Sequence, residues 1–198
     1  MPDPWFDAPA PLLPEVLALN GRSLGEKPAL VFGKQQLSWG DFTPQLHQVA
    51  NGLRAAGLCS GDRAAVLMDN SADMAVVLFG IMAAGAVTVP LNTLVADKGL
   101  ANMIEDAGAR AVFASEAHQA RLAPFRDRLP SVQHWFATGS PTPEWTDFKS
   151  WRATQAEDDP AVALADDDEC NIIYSSGTTG LPKGIVHTHR RRLDWFYD

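Results

Sequence analysis

Residues 63–90 read RAAVLMDNSADMAVVLFGIMAAGAVTVP, and the order of patterns in that stretch decides the fold. Arg63 to Met68 is an apolar run of strand length. Asp69-Asn70-Ser71 then offers an N-cap, because short polar side chains accept from the free N–H groups of a first helical turn. Met74, Leu78, Ile81 and Met82 recur at helical spacing and predict a buried stripe. Gly85 closes that helix, and Ala86 to Pro90, rich in β-branched residues, reads as a second strand. A strand, a helix and a strand in this order form a βαβ unit, with parallel strands and a right-handed crossover.

The alternation continues on the C-terminal side. Asp97 to Ala107 reads as a helix with Leu100, Met103 and Ile104 turned inward. Ala109 to Ala114 reads as a strand, Glu116 to Leu129 as a helix, and Val132 to Ala137 as a strand. On the N-terminal side the first dozen residues are proline-rich and extended, and a short apolar helix is expected over Leu13 to Leu19. Ala29 to Ser38 reads as two short strands around a turn. Phe42, Leu46, Val49, Ala50 and Leu53 mark an amphipathic helix. Its start has two readings. Ser38 with Asp41 resembles a capping box but leaves Pro44 inside the helix. Thr43 as N-cap, with Pro44 at the first helical position, avoids that cost. Gly57 is the expected stop. The whole pattern predicts an α/β fold: three layers, a mostly parallel doubly wound sheet, and helices on both faces.

Residues 139–169 break the rhythm with Pro141, Pro143, Pro160 and an acidic series from Glu157 through Asp166-Asp167-Asp168-Glu169. They read as a solvated connection, since neighbouring carboxylates in a run rarely converge on one metal ion. The expected organisation of 1–198 is therefore one partial N-terminal domain. Its parts are a βα-alternating part (1–138), the acidic connection (139–169), and a closing segment (170–198).

Composition narrows the function classes. With 46% apolar and 20% charged residues, the 198-residue chain is globular rather than disordered. Sixteen Lys and Arg against 24 Asp and Glu give a net charge of −8, which argues against a nucleic-acid partner. Arg190-Arg191-Arg192 reads as a solvated helix face. Two cysteines, Cys59 and Cys170, imply no disulfide framework and suit a reducing, cytoplasmic setting. Zinc-finger spacing is absent. The most apolar stretch, Met74 to Pro90, is too short and too interrupted to cross a bilayer.

The chemistry sits near the end. Asn171 to Tyr174 reads as a buried strand running straight into Ser175-Ser176-Gly177-Thr178-Thr179-Gly180-Leu181-Pro182-Lys183-Gly184. A second strand, Ile185 to Thr188, follows. Glycines let a backbone approach a ligand closely. Successive N–H groups can form an anion nest, hydroxyls add donors, and Lys183 adds a mobile cation. These are the parts that grip a polyphosphate. The P-loop spacing fails, because Pro182 stands where its second glycine belongs, and the dinucleotide fingerprint is absent. Tight apolar flanks argue against a flexible linker. His187 and His189 read as capping or packing residues, Asn70 and Asn92 as turn or cap residues, and Trp135, Trp145 and Trp151 as packing. Cys170 lacks an activating base.

Tyr174 through Ile185 resembles the phosphate-loop motif of the adenylate-forming superfamily, which includes acyl-CoA synthetases, firefly luciferase and peptide-synthetase adenylation domains. Gly80 to Asn92 and Ala101 to Ala114 resemble that superfamily's N-terminal segments, nearer in flavour to acyl-CoA synthetases. The resemblance implies the N-terminal part of the large domain of such an enzyme. It also implies a two-step reaction: a small-molecule carboxylic acid and ATP give an acyl adenylate, and coenzyme A then takes the acyl group. By motif match, Ser175, Ser176, Gly177, Thr178, Thr179, Gly180 and Lys183 would cradle the β- and γ-phosphates, with Ser175 near the Mg²⁺ that accompanies ATP. The superfamily's acyl-pocket, ribose-binding and catalytic-lysine segments have no counterpart in these 198 residues, so no catalytic residue is expected within them. The expectation is a fragment inactive alone, with self-association through apolar surface left exposed. The alternative is a non-catalytic polyphosphate-binding remnant acting with a partner chain.

Overall fold

The structure is a computed structural model that describes residues 11–175 and 182–197. Along the described residues run α1 (Leu13–Ser23), β1 (Pro28–Phe32), β2 (Gln35–Ser38), α2 (Trp39–Ala55), β3 (Arg63–Leu67), α3 (Ala72–Ala83) and β4 (Val87–Pro90). Next come α4 (Asp97–Asp106), β5 (Ala111–Ser115), and α5 (Glu116–Leu122) with a 3-10 turn (Ala123–Arg128). The chain continues through β6 (His134–Thr138), β7 (Thr146–Asp147), α6 (Phe148–Ala153), β8 (Glu169–Ser175), β9 (Lys183–Thr188) and α7 (His189–Tyr197).

β1 and β2 form a separate antiparallel hairpin, and the other strands form one sheet in the order β7-β6-β5-β3-β4-β8-β9. Every ladder of that sheet is parallel except β8–β9, which is antiparallel. The mostly parallel sheet with helices on both faces is the fold class expected from the sequence.

Strand alternation explains the three layers. In β3, Ala64 and Val66 point to one face and Ala65 and Leu67 to the other, because successive side chains alternate. The first face packs Ala64, Val66, Phe113 and Phe136 under Leu46, Val49 and Leu53 of α2 and Val76, Val77 and Ile81 of α3. The second packs Ala65, Leu67, Val89, Val112 and Ala137 under Leu100, Met103 and Ile104 of α4 and Leu122 of α5. Residues 64–67 are therefore all fully buried, a continuous apolar run as parallel strands require.

Several local readings need correction. The capping box of α2 is real: the Asp41 N–H donates to Ser38 Oγ at 3.1 Å, and the Ser38 N–H donates to Asp41 Oδ2 at 3.3 Å. Pro44 thus sits inside the helix, where it removes one backbone bond near its start. α3 turns Val76, Val77, Gly80 and Ile81 to the core, while Met74 and Leu78 are only half-buried. Gly80 is the reason: a Cβ there would lie 2.5 Å from Cβ of Val49, so α2 and α3 approach along the glycine rather than along Met74 and Leu78. The helix from Glu116 ends at Leu122, because Pro124 cannot donate and a 3-10 turn takes over. α1 runs four residues beyond the apolar stretch, to Ser23.

The stretch 139–169 carries more order than a solvated connection. β7 adds an edge strand beside β6, and Trp145 and Phe148 are buried. Trp145 meets Trp135 edge to face at 5.2 Å, and Trp151 packs on Phe136 at 4.3 Å, so all three tryptophans are packing residues as expected.

Candidate functional site

β8 leaves the parallel part of the sheet after a single paired position with β4, Thr88 beside Asn171. From there it pairs with β9: Ile173 opposite Ile185, Tyr174 opposite Gly184, and Ser175 opposite Lys183. The expected burial of Asn171 to Tyr174 holds for Asn171 and Ile172 but fails at Ile173, which is exposed, and Tyr174 is half-buried. The hairpin projects from the sheet, so its outer rungs lose the cover that a central strand has. The Ser175–Lys183 rung lies at the carboxyl end of β8, the side on which open α/β sheets bind ligands.

Two of the expected phosphate-binding residues fall in the described part. Ser175 and Lys183 face each other on the last rung, and both are exposed. Ser176, Gly177, Thr178, Thr179 and Gly180 lie outside the described residues. A cavity of about 430 Å³ opens between the end of β4 and the hairpin, lined by Pro90, Asn92, Met103, Tyr174, Ser175 and Pro182. Ser175 lines this cavity, and Lys183 stands opposite Ser175 on the hairpin. No group of three or more carboxylate, histidine or cysteine ligands gathers anywhere among the described residues.

Tyr174 is the residue that sequence reasoning passed over as a site member. Its hydroxyl donates to Asp106 Oδ2 at 2.5 Å and lies 3.2 Å from the Met103 carbonyl, both at the end of α4. Burial, followed by the Asp106 carboxylate, pushes the phenol above its ordinary range. The ring lies against Gly184, where a Cβ would stand 3.3 Å from Cζ and 3.0 Å from Cγ2 of Ile172. The sequence signal was a tyrosine directly before the serine–glycine–threonine run.

The weaker candidates have structural roles. Asn92 Oδ1 accepts from the Leu94 N–H at 2.9 Å, a turn as expected. His189 opens α7 and is buried, and burial holds its imidazole below the usual range. His187 is also held down, by burial and then by Arg192 and Arg191. Cys170 is buried, and burial pushes its thiol up, which removes it as a nucleophile. Of the basic run, Arg190 pairs with Asp166 at 2.7 Å, and Arg192 Nε donates to Asn171 Oδ1 at 3.0 Å. The run therefore ties α7 to the acidic stretch and to β8.

The comparisons with known proteins agree with this geometry. The family model described as AMP-binding enzyme matches residues 18–195. A long-chain-fatty-acid–CoA ligase of Mycobacterium tuberculosis, FadD13, is 32% identical over 161 residues, covering 78% of this chain and 30% of the relative. A 3-hydroxybenzoate–CoA/4-hydroxybenzoate–CoA ligase of Thauera aromatica is 30% identical over 174 residues, covering 87% of this chain and 33% of the relative. Among solved structures, the anthranilate CoA ligase AuaEII in complex with anthranoyl-AMP superposes with a TM-score of 0.87. It is 28% identical, covering 91% of this chain and 35% of that one. The inhibitor-bound N-terminal domain of FACL13 from Mycobacterium tuberculosis gives 0.82 at 29% identity, covering 91% and 45%. The chain thus spans about a third of the length of these curated relatives and matches their N-terminal portion.

Proposed function

This chain belongs to the AMP-binding enzyme family, and on that premise we propose that its β8–β9 hairpin is the polyphosphate grip of an AMP-forming acid–thiol ligase. In the proposed reaction a carboxylate oxygen attacks the α-phosphorus of ATP. Pyrophosphate leaves with the electron pair of the broken P–O bond, giving an acyl adenylate, and the thiol of coenzyme A then displaces AMP. The observation that carries the reading is the Ser175–Lys183 rung at the carboxyl end of β8, beside the cavity. Lys183 would hold charge on the β- and γ-phosphates as pyrophosphate leaves, and fixed donors aimed at developing charge lower such a barrier. Ser175 would orient the same phosphates. When bound, Mg²⁺ would neutralise part of their charge. The relatives named as fatty-acid and hydroxybenzoate ligases support an apolar carboxylic acid as the substrate class.

The 198 residues alone are proposed to bind Mg·ATP weakly and not to turn it over. Calorimetric titration with Mg·ATP, with pyrophosphate release measured against a panel of aliphatic and aromatic acids, tests both parts. Binding that falls at least tenfold in Lys183→Ala, with no pyrophosphate released by either protein, is the expected result. Equal Mg·ATP affinity in the wild type and Lys183→Ala would overturn the reading. Turnover by the isolated chain would overturn the proposal that it is inactive alone. Binding of ATP and of inorganic tripolyphosphate alike, without any acid dependence in a longer polypeptide, would instead favour a non-catalytic polyphosphate module.

A further inference from the structure

Asp106 stands at the wrong end of its helix. It is the last residue of α4, follows Glu105, and has no basic residue in the same turn. A carboxylate there faces the negative end of the helix dipole, which is unfavourable. Glu105 has a partner across the surface, since Arg128 Nη2 reaches its Oε2 at 3.1 Å. The hydrogen bond to Asp106 among the described residues is the one from Tyr174, at 2.5 Å. The pair joins the end of α4 to β8, which meets β4 at one paired position, Thr88 beside Asn171. Tyr174 in turn covers Gly184, whose bare backbone leaves room for the ring, and the next rung outward is Ser175 opposite Lys183. A bond to a charged acceptor is stronger than a neutral one, and this one is close and short enough to fix the ring.

We propose that Asp106 is a positioning residue of the phosphate grip: it holds the Tyr174 hydroxyl, sets the ring against Gly184, and so fixes the Ser175–Lys183 rung. Asp106 touches no substrate in this account and acts through Tyr174. The proposal rests on the polyphosphate reading of the hairpin for its ligand, but its mechanical part stands without it. A local device of this kind runs against helix preference, and local rules are broken most often where a site needs it.

The test uses the 198-residue chain, with Mg·tripolyphosphate as the probe, and the variants Asp106→Ala, Asp106→Asn, Tyr174→Phe and the double variant Asp106→Ala/Tyr174→Phe. Two quantities are read, tripolyphosphate affinity by calorimetry and amide hydrogen exchange along β8 and β9. Losing a hydrogen bond to a charged partner predicts affinity about tenfold weaker in each of Asp106→Ala and Tyr174→Phe. The double variant should be no weaker than either single one, since both remove the same link. Asp106→Asn should recover part of the loss, because an amide oxygen still accepts from the phenol. Exchange should quicken in β8 and β9 and stay unchanged in β3 and β5. Additive losses, or unchanged affinity with only a lower thermal midpoint, would overturn the proposal and leave the pair a structural contact. If the wild type binds no tripolyphosphate, the polyphosphate reading fails, and the exchange rates alone decide the link between Asp106 and the hairpin.

Discussion

Strands β3 and β5 differ from the β8–β9 hairpin in cover, although all four belong to one sheet. β3 and β5 lie in the middle with helices over both faces, and Ala64 to Leu67 and Ala111 to Ala114 are fully buried. β9 is an edge strand whose Lys183, Gly184, Ile185 and Val186 are exposed, with Ile185 and Val186 each at 48%. The middle strands sit inside the two buried apolar clusters, and apolar burial is the dominant favourable term in folding. The hairpin holds Ser175 and Lys183 on its last described rung. On the proposed reading, stability and ligand chemistry are carried by different strands, and each should be open to disturbance without the other.

The comparison breaks most visibly under truncation of large side chains. Phe113 is fully buried, stacked on Phe136 at 4.7 Å and edge-on to Phe148. Phe113→Ala should cost about 3–5 kcal/mol in urea unfolding. Ile185→Ala on the exposed edge should cost under about 1 kcal/mol, because much of that side chain is already in water. Similar costs for the two would end the division between the regions. Gly80→Ala comes next. The added Cβ would meet Val49 Cβ at 2.5 Å and the Leu46 carbonyl at 2.9 Å, forcing α2 and α3 apart for about 1–3 kcal/mol. Thermal melts of Gly80→Ala should show that loss with polyphosphate binding retained by the folded fraction. Ser38→Ala removes the N-cap of α2 and should cost about 1 kcal/mol by the same measurement.

The smallest effect is a pH dependence. His187 and His189 are both held below the ordinary value of 6.5 in the folded chain. As pH falls through 6.5 the unfolded chain therefore takes up protons before the folded one does. The stability contributed by the neutral rings is full above that value and is lost as pH drops toward the folded pKa. Asp168, Glu15 and Asp166 oppose the shift at His189, so the slope is shallow. Urea midpoints between pH 7.5 and 5.5 should decline, and His189→Gln should flatten the decline. An unchanged slope in that variant would assign the effect elsewhere.

The periodicity of 63–115 made the sheet and its crossovers legible, because apolar strands and stripes repeat there without interruption. The sequence could not rank two competing costs at α2. The capping box outweighed the lost bond at Pro44, and only the packing of Thr43 against α1, with its hydroxyl 3.3 Å from the Leu17 carbonyl, shows why the early start is held. The stripe of α3 holds at Ile81 and Met82 and shifts at Met74 and Leu78, because the helix packs on α2 along Gly80, which carries no side chain to mark the contact. The order in 139–169 was hidden by its prolines and acids, while its anchors, Trp145 and Phe148, are single residues without periodicity. At the site, the motif points to a loop whose residues Ser176 to Gly180 lie outside the described part. The Tyr174–Asp106 link was not legible, since 68 residues separate the two and no local pattern joins them.

The central claim is that ligand chemistry belongs to the hairpin and stability to the covered strands. The most direct test is a titration of Mg·ATP into isotope-labelled chain, followed by amide chemical shifts. The account predicts shifts at Tyr174, Ser175, Lys183 and Gly184, with β3 and β5 silent, and their loss in Lys183→Ala at an unchanged thermal midpoint. Shifts centred on any other part of the sheet, or a response that survives Lys183→Ala, would contradict it.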